Sequence, residues 1–126
     1  MKAKGEVSVN GRIYPAVSLA GLHPRMWPVL PIVEAAYRHH GLEPMLTAGA
    51  ECFYWHVKDK CQGFIHGLTS KHPQGLALDF SCRAIPMETV ILIQNEIQSK
   101  LDALGSCYQV IFESGQPHFH IEWDER

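Results

Sequence analysis

An imidazole and a carboxylate, His72 and Asp79, stand seven residues apart in Ser70-Lys71-His72-Pro73-Gln74-Gly75-Leu76-Ala77-Leu78-Asp79-Phe80. Gly75 permits a sharp turn, and the apolar run after it reads as a strand. Alternation then puts Leu76, Leu78 and Phe80 on one face and Ala77 and Asp79 on the other. A carboxylate within so apolar a strand is costly to bury unless a cation meets it. A metal ion would serve, and His72, at the start of the turn, is its second ligand.

The third ligand lies far along the chain, in Pro117-His118-Phe119-His120-Ile121-Glu122-Trp123. Strict alternation places His118, His120 and Glu122 on one face. The upstream run Tyr108-Gln109-Val110-Ile111-Phe112-Glu113 alternates too, and the link Ser114-Gly115-Gln116-Pro117 suits a hairpin. Pairing Glu113 with His118 sets Ile111 opposite His120 and Gln109 opposite Glu122. The other face then carries Phe112 beside Phe119, Val110 beside Ile121 and Tyr108 beside Trp123. A slip of one residue would ruin both faces.

Two imidazoles and one carboxylate with a fourth position open are the makeup of a catalytic zinc site and not of a closed structural one. Zinc lowers the pKa of its water from ~15.7 towards 7. Another group must take the proton and pass it to the leaving amine. Glu113 is the first choice for that base, with His118 stabilising an oxyanion or sharing the proton. The two roles are interchangeable at this level. Glu122 is either a partner that orients a ligand histidine or a solvated strand residue.

Together, SxHxxGxAxD and a later HxH resemble the LAS group of zinc peptidases: lysostaphin, the D-Ala-D-Ala metallopeptidases and the hedgehog signalling domain. The nearest branch is that of small D-Ala-D-Ala carboxypeptidases and phage endolysins that cut L-Ala-D-Glu bonds. Ser70, His72, Gly75, Ala77 and Asp79 match the first motif and His118 and His120 the second, so the likeness runs from about Leu46 to Trp123. It implies zinc held by His72, Asp79 and His120. It also implies hydrolysis next to a D-amino acid in peptidoglycan stem or cross-link peptides, with Ser70 at the substrate. The family's arginine is missing from the turn Thr47-Ala48-Gly49-Ala50-Glu51. That leaves Arg83 to hold a substrate carboxylate, lets Glu51 meet a substrate amine, and favours an endopeptidase over a carboxypeptidase. The hedgehog branch supplies the alternative, a catalytically silent zinc-stabilised binding domain.

The chain's 126 residues suit a single domain, 1–126, with its own core. A net charge of -2 argues against a nucleic-acid partner and gives no attraction to an anionic membrane. Met1-Lys2-Ala3-Lys4-Gly5-Glu6 has no apolar signal-peptide core. The expectation is a monomer made in the cytoplasm, released to a cell wall only by another route such as that of a phage enzyme. Cys52, Cys61, Cys82 and Cys107 are too scattered for a zinc ribbon or a dense disulfide framework. They read as buried or free thiols. A Cys52–Cys61 bridge is open to them, and none stands out as a nucleophile.

Elements that position these groups follow from pattern. Asn10-Gly11 marks an N-terminal hairpin. A helix is predicted from Pro28 or Pro31 to His40, stopped by Gly41 and buried through Ile32, Val33, Ala36 and Tyr37. His39 and His40 at its end suit the helix dipole. Pro44 to Gly49 reads as a strand. Residues 52–69 read as a short helix and cleft-lining loop, in which Tyr54, Trp55 and His56 either pack in the core, the commoner role of such residues, or meet a ligand, and His66 is a rival metal ligand for which the family pattern leaves no slot. Met87 to Leu104 reads as an amphipathic helix buried through Val90, Ile93, Ile97, Leu101 and Leu104. The predicted class is α+β, hedgehog/D-Ala-D-Ala peptidase-like: an antiparallel sheet with helices on one face and the zinc face opposite.

Overall fold

The computed structural model describes residues 1–9, 12–15, 17–50, 71–72 and 74–125, with backbone alone over 6–9 and 12–15. Its strands are β1 (Lys2–Ala3), β2 (Glu6–Val9), β3 (Arg12–Pro15), β4 (Met45–Ala48), β5 (Ala77–Ser81), β6 (Tyr108–Glu113) and β7 (His118–Trp123). Its α-helices are α1 (Val29–Arg38) and α2 (Met87–Asp102), and Pro24–Met26 form a 3-10 turn. A five-stranded sheet has the order β1-β4-β5-β7-β6, and β2 and β3 form a separate hairpin.

Period-two side chains make the β6–β7 hairpin self-specifying. The observed pairs are Glu113 with His118, Ile111 with His120 and Gln109 with Glu122, as alternation predicts. β7 also pairs with β5, setting Asp79 opposite His120 and Ser81 opposite His118. The sheet is mixed: β4, β5, β7 and β6 run antiparallel, but β1 joins β4 in parallel. The expectation of a wholly antiparallel sheet is corrected there. Two residues carry no periodicity, and β1 is held through backbone bonds, Lys2 N to Pro44 O at 3.0 Å and Lys4 N to Leu46 O at 2.8 Å.

Leu78 and Phe80 from β5 meet Phe119 and Ile121 from β7, and α1 and α2 cover them with Val33, Tyr37, Val90, Ile93 and Ile97. All of these are essentially free of solvent, and truncating either phenylalanine to Ala would cost about 3–5 kcal/mol. Tyr37 stands edge-on to Phe119 and donates its hydroxyl to the Ser81 carbonyl at 2.8 Å. The helices thus occupy one face and leave the His118–His120–Glu122 face open. Leu104 is an exception to the predicted burial. α2 ends at Asp102, so Leu104 lies past the amphipathic stripe and is 55% exposed.

Helix ends behave as their residues dictate. Gly41, at φ 70°, closes α1 with bonds from Leu42 N to Tyr37 O and from Gly41 N to Arg38 O, the Schellman arrangement. His39 pairs with Glu96 of α2 at 2.8 Å, tying the helices together. Gln94 and Gln98 of α2 reach the outer edge of β6. Their amides bond the Val110 and Tyr108 carbonyls, and Gln98 accepts from Val110 N. Backbone groups that would template another strand are thereby satisfied.

The turn before β5 is the tightest point. Gly75 has φ +74°, and a Cβ there would lie 2.2 Å from the Gly21 carbonyl oxygen and 2.8 Å from His23 N. The His23 amide also donates to the Gly75 carbonyl at 3.0 Å. Gly75→Ala should therefore cost roughly 2–4 kcal/mol, from left-handed strain plus a backbone clash. Chemical denaturation checks this. A loss under about 1 kcal/mol would mean that the turn relaxes freely.

Candidate metal centre

Three elements deliver three side chains to one point on the open face. His72 comes from the turn before β5, Asp79 from β5 and His120 from the paired position on β7. One ligand atom from each lies within 4.8 Å of the others. His72 Nε2 is 3.2 Å and His120 Nδ1 2.9 Å from Asp79 Oδ1. Donors about 2.0–2.1 Å from a tetrahedral zinc stand about 3.3 Å apart, so the spacing fits such an ion. β4 bulges beside Asp79, between Leu46 and Ala48, the kind of irregularity that re-aims chains next to sites.

Proton placement shows why a cation belongs there. His72 is buried, and its Nδ1 donates to the Gly49 carbonyl at 2.8 Å. A neutral ring with that proton turns its Nε2 lone pair towards Asp79, and a protonated ring donates to it. His120 stands between two carboxylates, Nδ1 2.9 Å from Asp79 Oδ1 and Nε2 3.1 Å from Glu122 Oε1, and with its proton on Nε2 the Nδ1 lone pair faces Asp79. In those neutral tautomers two lone pairs and a carboxylate oxygen converge. The outer hydrogen bonds fix tautomer and ring orientation, as they do around bound metals.

The local field points the same way. Burial opposes charge on Asp79, but the hydrogen bonds to His120 and His72 outweigh it and hold the carboxyl well below its ordinary range. Burial likewise opposes charge on His120. The Asp79 hydrogen bond, with the Asp79 and Glu122 charges, outweighs it and raises the imidazole. Protons on the two rings, or a metal ion in their place, meet the Asp79 charge.

His118 and Glu113 stand beside this group. His118 donates Nδ1–H to the Gln116 carbonyl, and its Nε2 lies 3.3 Å from Glu113 Oε2 and 3.9 Å from Asp79 Oδ2. With Nδ1–H committed, His118 Nε2 is left facing the Glu113 carboxylate. That is the equipment of general acid–base chemistry. Glu113 is about half exposed, so its outer oxygen can reach water.

Sequence reasoning had left open whether Glu122 was solvated. Its side chain is 14% exposed and lies 3.1 Å from His120 Nε2, which places it to orient that ring. Glu122→Ala should weaken metal binding about 10–100-fold without unfolding the hairpin. Competitive titration with a chelator reads this directly, and unchanged affinity would return Glu122 to the solvated role. Missed altogether was the Gly49 carbonyl. Backbone groups leave no sequence signal, but a Cβ on Gly49 would lie 2.5 Å from the Ser18 carbonyl oxygen. Arg83 lines the cleft beside Asp79 and His118. Glu51, Ser70, the aromatics Tyr54 and Trp55, the histidines His56 and His66, and the Cys52–Cys61 pair lie outside the described residues. Cys82 is buried, and burial pushes its thiol up to about 11, which removes it as a nucleophile.

Comparison of the chain with protein families, with curated proteins and with solved structures gave no match. The functional reading rests on the geometry and chemistry of these side chains.

Proposed function

We propose that the chain is a zinc peptidase acting next to D-amino acids in peptidoglycan stem or cross-link peptides. The observation that carries the reading is the convergence of His72, Asp79 and His120 beside the Glu113–His118 pair on one open face. Two nitrogens and one oxygen suit zinc among the common divalent ions. The pair supports catalysis over a purely structural ion. A silent metal site has no use for a half-exposed carboxylate 3.3 Å from an imidazole next to the ligands. The D-amino-acid preference rests on the resemblance to the LAS peptidases.

Zinc bound there supplies a Lewis acid and acidifies water at neutral pH. The protein's own part begins with His72 and His120, whose outer hydrogen bonds would turn a lone pair of each towards the ion, and Asp79 would neutralise part of its charge. Glu113 takes the proton of the attacking water and, through His118 or directly, returns it to the leaving amine. His118, when protonated, places Nε2–H where an oxyanion develops.

Incubation with purified peptidoglycan, with and without a chelator, tests the proposal. Chelator-sensitive release of amines is expected. A zinc-loaded protein that releases none would be the binding domain instead. No helix among the described residues is long and apolar enough to cross a membrane.

A further inference from the structure

His72 sits in a turn, and a turn alone does not hold an imidazole at one angle. Its Nδ1–H bonds the Gly49 carbonyl at 2.8 Å. The amide of the same peptide unit, Ala50 N–H, donates to the Ser18 carbonyl at 2.7 Å. A trans peptide unit is planar, so its N–H and C=O point in opposite directions. The Ser18 carbonyl therefore sets the direction from which Gly49 O meets the His72 ring. The bonds run in one line from Ser18 through the Gly49–Ala50 peptide to the imidazole, and each polarises the next.

The backbone of His72 is held by the same segment. Gly75 N donates to the His72 carbonyl at 2.9 Å and closes the turn, and Gly75 O accepts from His23 N at 3.0 Å. Residues 18–23 thus hold the ring through Gly49–Ala50 and the turn through Gly75. They lie in direct contact with both, since a Cβ at 49 would meet Ser18 O and one at 75 would meet Gly21 O. The segment is itself braced. Ser18 Oγ accepts from Ala20 N at 3.2 Å, and Leu22 N bonds Leu19 O at 3.0 Å. The Leu22 side chain is buried in the core. Gly21 is left-handed at φ 81°, with open space where a Cβ would stand.

We infer that residues 18–23 are a positioning strap for His72, which sets the angle of its imidazole and with it the affinity of the metal centre while supplying no ligand. The metal reading of the site underlies this, and peptide cleavage does not enter it. With the strap seated, the ring is presented in one orientation, its Nε2 3.2 Å from Asp79 Oδ1. With the strap loosened the ring samples others, and apparent affinity falls with the fraction that still faces Asp79 and His120.

Gly21→Ala compared with Gly41→Ala supplies the test. Each adds a Cβ to a left-handed glycine in open space, at φ 81° and 70°, so the backbone strain is alike. Relief at 21 unseats the strap, and relief at 41 frays the end of α1. In competitive chelator titration Gly21→Ala should bind zinc about tenfold more weakly than the unaltered protein. Gly41→Ala should bind it as tightly as before. Proton NMR of the zinc-free proteins reads the same strap without metal. The His72 Nδ1–H, shielded by its bond to Gly49, should give a slowly exchanging signal that persists in Gly41→Ala and disappears in Gly21→Ala. Gly21→Asn should restore signal and affinity, because asparagine tolerates this conformation. Where Gly21→Ala does not fold, Leu22→Val shortens the side chain that seats the strap, with the buried Leu101→Val of α2 as its control. Equal zinc affinity in the strap variant and its control, or a His72 signal that persists in the strap variant, overturns the inference. A protein that takes up no zinc but loses the His72 signal in the strap variant alone keeps the strap and removes the metal reading.

Discussion

His120→Ala should emerge from purification folded but nearly free of zinc, against about one equivalent per chain in the unaltered protein. His120 supplies one of three converging donors, and its ring also keeps Glu122 in place. Without it, an oxygen and a single nitrogen remain, too few to hold zinc against a chelator. The fold should survive because His120 projects from the open face, while Phe119 and Ile121 on either side fill the core. His118→Ala is the informative control. Its Nε2 faces Glu113 and the second oxygen of Asp79, so that variant should keep its zinc. Full zinc content in His120→Ala would remove it from the site.

Glu113→Gln should keep metal and fold and lose about 10²–10⁴ in turnover. Gln has nearly the same shape, but its amide cannot accept a proton from water. It can still hydrogen-bond His118, so the loss reports on proton transfer and not on position. The expected signature is a fall in kcat with zinc stoichiometry and melting temperature unchanged. Near-normal turnover would transfer the base to His118, the exchange of roles that sequence reasoning left open.

The site was legible where side-chain period decided the matter. In β6 and β7 every second residue is apolar, and a register that buries Phe119 and Ile121 forces His118 and His120 onto the open face. Asp79 was legible for a related reason, since only a cation justifies a carboxylate among Ala77, Leu78 and Phe80. What escaped the sequence depends on the backbone or on distant segments. The parallel strand Lys2–Ala3 is too short for any pattern. The bulge in β4 and the Gly49 carbonyl arise from how β4 meets β5 and the His72 turn. Lys4 reaches the cleft only because β1 adds to the sheet edge. In α2 the apolar spacing runs on to Leu104 although the helix does not, and periodicity alone cannot see that end.

X-ray absorption at the zinc edge of the purified protein is the most direct measurement of the central claim. With His72, Asp79 and His120 as ligands, the first shell must contain only nitrogen and oxygen, at about 2.0–2.1 Å, with imidazole scattering from two rings. A sulfur shell at about 2.3 Å would move the metal to the cysteines, and a protein that takes up no zinc would leave the open face without its cation.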